Sequence, residues 1–240
     1  MSDDVDSTPE RGEEGAEGAR AAALPTASEL YEVLAAHLAA HDKPTFVRAA
    51  VGAVTSGAVS IPSLYREVLT PLLVAAGSSW QGGRLAIWEE HMASAMVRSV
   101  VEIVYPGVLK AKSAVPPTGR SVLLASPPEE GHDLGLRMVS DRFDMAGWTT
   151  YFLGADTPVD QVADAALRLG VDALVLSSST HYHRVALRRH VDHLKEQLPN
   201  VDVWVGGPAF ALDTDGWAAR ELLDLEALLA ERPAPGGGEG

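Results

Sequence analysis

From Ser121 onward, four short apolar runs alternate with three amphipathic stretches, and no other feature of the 240-residue chain limits its fold as strongly. The pattern reads strand Val122 to Ala125, helix Leu134 to Met145, strand Thr149 to Leu153, helix Val159 to Leu169, strand Ala173 to Leu176, helix Val185 to Leu198 and strand Val201 to Val205. Crossover helices at this spacing build right-handed βαβ units and hence a parallel sheet. An α/β fold, a Rossmann or flavodoxin-like parallel-sheet domain, is therefore expected over residues 120–232. Its second helix is well punctuated: Thr157 can cap it, Pro158 suits its first position, and Gly170 follows its end. Trp217 to Glu231 reads as a last helix, and only Ala211 to Gly216 separate it from a Gly206-Gly207 loop. A fifth strand is thus short or missing.

Upstream, the period is helical. With Ser28 as N-cap, Leu30, Val33, Leu34, His37, Leu38 and His41 fall on one stripe. A second helix is expected from Pro44 to Thr55, ended by Ser56-Gly57, and a third from Ile61 to Ala76, kinked or split at Pro71. A fourth, Leu85 to Tyr105, shows an apolar face of Met92, Ala95, Met96, Ser99, Val100 and Ile103, with Pro106-Gly107 to stop it. Short connections between four helices suggest an antiparallel four-helix bundle over residues 26–110, joined through a linker, Ala111 to Gly119. Residues 1–25 read as a disordered acidic leader and 233–240 as a flexible tail.

The charge excludes one class of function. With 33 acidic against 19 basic residues the net charge is −14, which opposes direct nucleic-acid binding through phosphate neutralisation. The absence of cysteine removes disulfides, thiolate zinc sites and cysteine nucleophiles. No signal segment opens the chain and no unbroken apolar run is of membrane-spanning length, so a cytoplasmic protein without a membrane partner is expected. His37 and His41, four apart, have no third ligand nearby and read as helix-surface or core-edge residues. Arg188, Arg189, His190, His193 and Lys195 read as a solvated face rather than a dock for an acidic partner. His181 and His183, near a serine loop, read as surface histidines unless they flank a ligand there.

Three polar loops fall at strand ends or helix junctions on one edge of the expected sheet: Glu130-Gly131-His132-Asp133-Leu134-Gly135, Ser177-Ser178-Ser179-Thr180 and Gly206-Gly207-Pro208. That edge is where open α/β sheets bind ligands. Glycines there permit close backbone approach, serines supply hydroxyls, and a histidine oriented by a carboxylate is the arrangement that metal ligation needs. In order and spacing the loops resemble the signature of cobalamin (B12)-binding domains, Asp/Glu-x-His-x-x-Gly, then Ser-x-Leu about forty residues on, then Gly-Gly. The resemblance implies that His132 ligates cobalt from below, with Glu130 as its hydrogen-bond partner and Asp133 in the same loop. It also implies that Gly135 makes room for the nucleotide tail, that Ser177 and Ser179 line the tail's pocket, and that Gly206 and Gly207 pack close to it. Ser179 stands where the signature has Leu, which makes that lining more polar.

The helical half resembles a narrower group. Trp80 followed by Glu90-His91 reads W-x9-E-H, similar to the cap of the cobalamin-dependent light-sensing regulators of the CarH and LitR group. That resemblance implies an indole lid over adenosylcobalamin with Glu90 and His91 beside the adenosyl group. Two departures accompany it: the acidic leader stands where those regulators carry a DNA-binding domain, and Gln81 stands where they commonly place the histidine that takes the upper cobalt position after light. The expected function is a stand-alone cobalamin sensor that prefers adenosylcobalamin and takes methylcobalamin second, signalling to a protein partner such as a transcription regulator, with a homo-oligomer as a further expected partnership. Such a sensor is not an enzyme. The alternative from another class is a corrinoid methyl-carrier subunit of a methyltransferase system, and a cofactor-free receiver-like module is the third.

Overall fold

The computed structural model describes residues 24–210 and 222–230. The acidic leader up to residue 23, Trp217 and the tail lie outside the described residues.

Helices α1 (Ala27–Ala39), α2 (Lys43–Thr55), α3 (Ile61–Ser63), α4 (Thr70–Gln81) and α5 (Ile87–Ser113) form the bundle, with a π-helical stretch, Leu64–Leu69, joining α3 to α4. Thr26, not Ser28, caps α1: its hydroxyl accepts from Glu29 N–H while the Glu29 carboxylate accepts from Thr26 N–H. Pro71 explains the π stretch. It lacks an N–H and its ring crowds the carbonyl four residues back, and widening the turn relieves both. The helix then continues to Gln81, five residues past the expected end at Ala76, and carries Trp80 in its last turn.

Pro106 does not stop α5, which runs through it to Ser113 and absorbs the start of the expected linker. Val104 and Val108, buried on either side, hold the two turns together, and Gly107 lets Ile61 approach so closely that a Cβ would lie 2.8 Å from its Cδ1. One lost hydrogen bond costs less than this packing returns. The core stripe of α5 is also rotated from the expected face: Ala93, Met96, Val97, Val100, Val101, Val104 and Val108 are buried, whereas Met92, Ala95 and Ile103 are exposed. By length and composition α5 would pass for a membrane span, but its buried stripe is the bundle core.

Strands β1 (Ser121–Ala125), β2 (Thr149–Gly154), β3 (Ala173–Ser177) and β4 (Asp202–Gly206) form a parallel sheet in the order β2-β1-β3-β4. Helices α6 (Leu134–Met145) and α9 (Leu225–Ala230) cover one face and α7 (Val159–Leu169) and α8 (His181–Gln197) the other, which gives three layers. Pro158 itself caps α7, and the Thr157 hydroxyl bonds to Ala155 O instead. Gly170, left-handed at φ 61°, ends it as expected. Among the described residues Leu222 makes an isolated parallel bridge to Val205 and α9 begins only at Leu225, so the expected helix is interrupted at Leu222, while the expected Trp217 start lies outside the described residues.

Helix α6 joins the two halves. Leu134 and Met138 enter the bundle's core, Tyr65 Oη donates to buried Asp141 at 2.8 Å, Arg137 Nε donates to the same carboxylate at 3.0 Å, and Arg98 pairs with Asp133 at 2.8 Å. Buried charge persists only when hydrogen-bonded, so this network fixes how the bundle sits over the sheet edge.

Candidate functional site

In the order β2-β1-β3-β4 the connections diverge between β1 and β3, and a crevice opens there beyond the carboxyl ends. The loop after β1 and the loop after β3 meet in it. The first is held by Glu129 N–H on Asp156 (2.8 Å), Asp156 N–H on Glu130 O (3.0 Å) and Ser126 Oγ on His132 O (3.1 Å).

At the centre is Glu130, fully buried. Its Oε1 accepts from His132 N–H at 3.0 Å and lies 2.6 Å from His132 Nδ1. Its Oε2 accepts from Ser179 N–H at 2.7 Å, and the Ser179 hydroxyl lies 2.8 and 2.7 Å from the two oxygens. Burial works to raise the Glu130 carboxyl, yet the hydrogen bonds from His132 and Ser179 outweigh it and hold it down to about 2. It is therefore ionised at neutral pH. His132 Nδ1 must be the donor, which leaves Nε2 on a side chain that is 58% exposed. The hydrogen bond to Glu130 pulls the imidazole's pKa up against burial, and Glu90 and Asp133 add Coulomb attraction.

The signs set a pH window. The depressed carboxylate contributes stability that is in place above its unfolded value of about 4.3 and is lost as pH falls toward its folded value. The raised imidazole contributes stability present below about 6.5 and lost as pH rises through its folded value. In urea titrations at a series of pH values, Glu130→Gln should flatten the acid limb below about pH 4.3. An acid limb identical to the parent's would show that these bonds do not hold the charge.

Of the other expected site residues, Ser177 and Gly206 pair in the last rung of β3 and β4. Gly207 has φ 105°, and a Cβ there would sit 2.3 Å from Ser178 O and 3.0 Å from Ser177 Oγ, so only glycine fits. Gly135 and Gly131 face open space, where a Cβ would meet nothing within 4 Å. Asp133, at the N-cap of α6, makes no cap bond and pairs with Arg98 of the bundle instead. Trp80 is 39% exposed, Glu90 is nearly buried and accepts from Ser94 Oγ at 2.8 Å, and His91 is exposed. His37 pairs with Asp42, and His41 with Glu89 and the edge of Trp88.

His183, which the sequence favoured as a surface histidine over one flanking the serine loop's ligand, joins the site through Glu130. Helix α8 begins at His181, four residues before the expected start at Val185, with Thr180 as N-cap, which brings His183 Nδ1 to 3.0 Å from Glu130 Oε2. The side chain of His181 lies outside what is described. A Thr three residues before a His at a helix start was the available signal.

Whether these residues suit a metal cofactor turns on the donor set. Among the described residues no three or more His, Asp or Glu are grouped to hold a bare ion. One oriented imidazole with an exposed Nε2 fits a metal that arrives with most of its ligands already in place, as in a corrin ring.

A doubly wound sheet with one metal-competent imidazole at its switch point, under a helical bundle, defines a cofactor-binding protein. The chain carries B12 binding domains in both halves: one B12 binding domain model matches residues 120–226 and another matches residues 30–105. It is 32% identical over 147 residues to the HTH-type transcriptional repressor CarH of Myxococcus xanthus, covering 60% of this chain and 47% of that protein. It is 34% identical over 96 residues to CarA of the same organism, covering 40% and 32%. The chain thus spans less than half the length of each of these two relatives. The Methanosarcina barkeri monomethylamine corrinoid protein has the same fold, with TM-score 0.66 at 18% identity over 79% of this chain and 88% of that one.

Proposed function

We propose that this protein is a cytoplasmic adenosylcobalamin sensor that answers light by changing its contacts with a protein partner or a second copy of itself. His132 would hold cobalt from below, oriented by Glu130 and Ser179, with Ser177, Gly206 and Gly207 around the nucleotide tail. Trp80, Glu90 and His91 would close over the upper side. The cofactor supplies a cobalt–carbon bond that light can break. The observation that carries the reading is the oriented imidazole, with His132 Nδ1 2.6 Å from buried Glu130 and its side chain 58% exposed, in a protein whose helical half carries Glu90 in the first turn of α5 and the exposed Trp80 in the last turn of α4. An indole closing over the cofactor would be a flat apolar cover that excludes water from a weak bond. The sequence identity to a transcriptional repressor favours a regulator over a methyl carrier.

Light scattering on the adenosylcobalamin-loaded protein, in the dark and after green light, tests the proposal. Alkylcobalamins photolyse even when free, so the discriminating readout is mass, not bleaching. A light-dependent change of mass, or of capture of a partner, is expected, together with a preference for adenosyl- over methylcobalamin that Trp80→Ala removes. Gln81 offers only a weakly donating carboxamide, so the lit protein should release its cofactor more readily than the Gln81→His variant. Equal affinity for both cobalamins with no change of mass or partner would overturn the sensor in favour of a carrier.

A further inference from the structure

The two oxygens of Glu130 are used unequally. Oε1 serves its own loop, through His132 N–H and Nδ1, while Oε2 is held from the β3–α8 junction by Ser179 N–H at 2.7 Å and His183 Nδ1 at 3.0 Å. The Ser179 hydroxyl lies within 2.8 Å of both oxygens and 2.9 Å from His132 Nδ1, so it can serve either oxygen and is not tied to one of them. His183 touches Oε2 alone. Its backbone N–H donates to the N-cap Thr180 Oγ1 at 3.3 Å, Tyr182 packs edge-on against its ring with centroids 5.5 Å apart, and only 19% of the side chain is exposed.

We propose that His183 is a positioning residue for His132, acting through Glu130: by donating to Oε2 beside the Ser179 N–H it completes the hold on the plane of the buried carboxylate, and with it the tautomer and direction of the exposed imidazole. The contact rests on geometry alone; its consequence for a cofactor rests on the cobalamin reading above. An ionised carboxylate only accepts, so both histidines must carry hydrogen on Nδ1, and in the neutral ring the Nε2 of His132 then holds the lone pair. Such orienting partners are worth about ten- to hundredfold in metal affinity.

The test uses two variants and two readouts. The amide nitrogen of asparagine overlays Nδ1, so His183→Asn keeps the donor, whereas His183→Leu removes it; His183→Gln, whose nitrogen overlays Nε2, replaces the leucine variant if that one does not fold. In the cofactor-free protein, histidine 15N NMR reads the His132 tautomer directly. The parent and His183→Asn should show the Nδ1–H form, and the donor-less variant should shift toward a mixture of tautomers. Cobalamin affinity should then fall about ten- to hundredfold in the donor-less variant and be largely restored by asparagine. An unshifted His132 tautomer in the donor-less variant, or equal affinity losses in the leucine and asparagine variants, overturns the proposal. If the parent bound no cobalamin, the cofactor reading would fall, and the cofactor-free spectra would still decide the role of His183.

Discussion

Replacing His132 by Ala is expected to abolish the absorption of a histidine-ligated cobalamin and to weaken binding by at least about tenfold, since even the loss of a ligand's hydrogen-bond partner costs that much. The fold should survive. The side chain is more than half exposed, and its loop is held by bonds that do not involve the ring: Glu129 N–H to Asp156, Asp156 N–H to Glu130 O and Ser126 Oγ to His132 O. Spectral titration of both proteins with methylcobalamin checks this. A variant whose bound spectrum matched the parent's would mean that the lower ligand comes from elsewhere.

Gly207→Ala should be the most destabilising single change at the site. Positive φ for a residue with a Cβ costs about 1–3 kcal/mol, and the overlap falls on a backbone carbonyl that cannot swing away, adding a similar amount. Ser178, whose carbonyl is in the way, is buried and tied to Gly206 O and Ala209 N, so relief would disturb both loops. A loss on the order of 3–5 kcal/mol corresponds to a melting point lower by roughly 6–20 °C in a chain of this size. Gly135→Ala is the contrast. Its Cβ enters open space in the first turn of α6, so stability should hold or rise slightly while cobalamin affinity drops if the tail needs that room. Melting points equal within about 2 °C for Gly207→Ala and the parent would contradict the steric argument.

The α/β half was legible because its elements obey strong local rules. Helices α6 and α7 begin and end where the apolar period and Gly170 place them, and the His132, Ser179 and Gly207 loops follow from strand ends. The bundle was harder because α5 carries two overlapping apolar faces, and periodicity does not say whether Met92 and Ile103 or Val97 and Val104 point inward. Packing against α2 and α6 decides it. Pro106 misled for the same reason, since a local breaker was outweighed by Val104 and Val108, whose partners are distant in sequence. His183 was placed near the serine loop, but its link to Glu130 was not legible because that bond spans 53 residues.

The most direct test of the central claim is electron paramagnetic resonance of the protein loaded with cob(II)alamin, comparing protein made with ordinary histidine and with 15N-histidine. A nitrogen on the lower axial position splits each cobalt line into three when it is 14N and into two when it is 15N. If His132 holds the metal, labelling the protein's histidines should convert triplets to doublets, and His132→Ala should remove that conversion. Triplets that persist in the labelled protein would show that the cofactor's own base stays on cobalt, which would contradict the role assigned to His132.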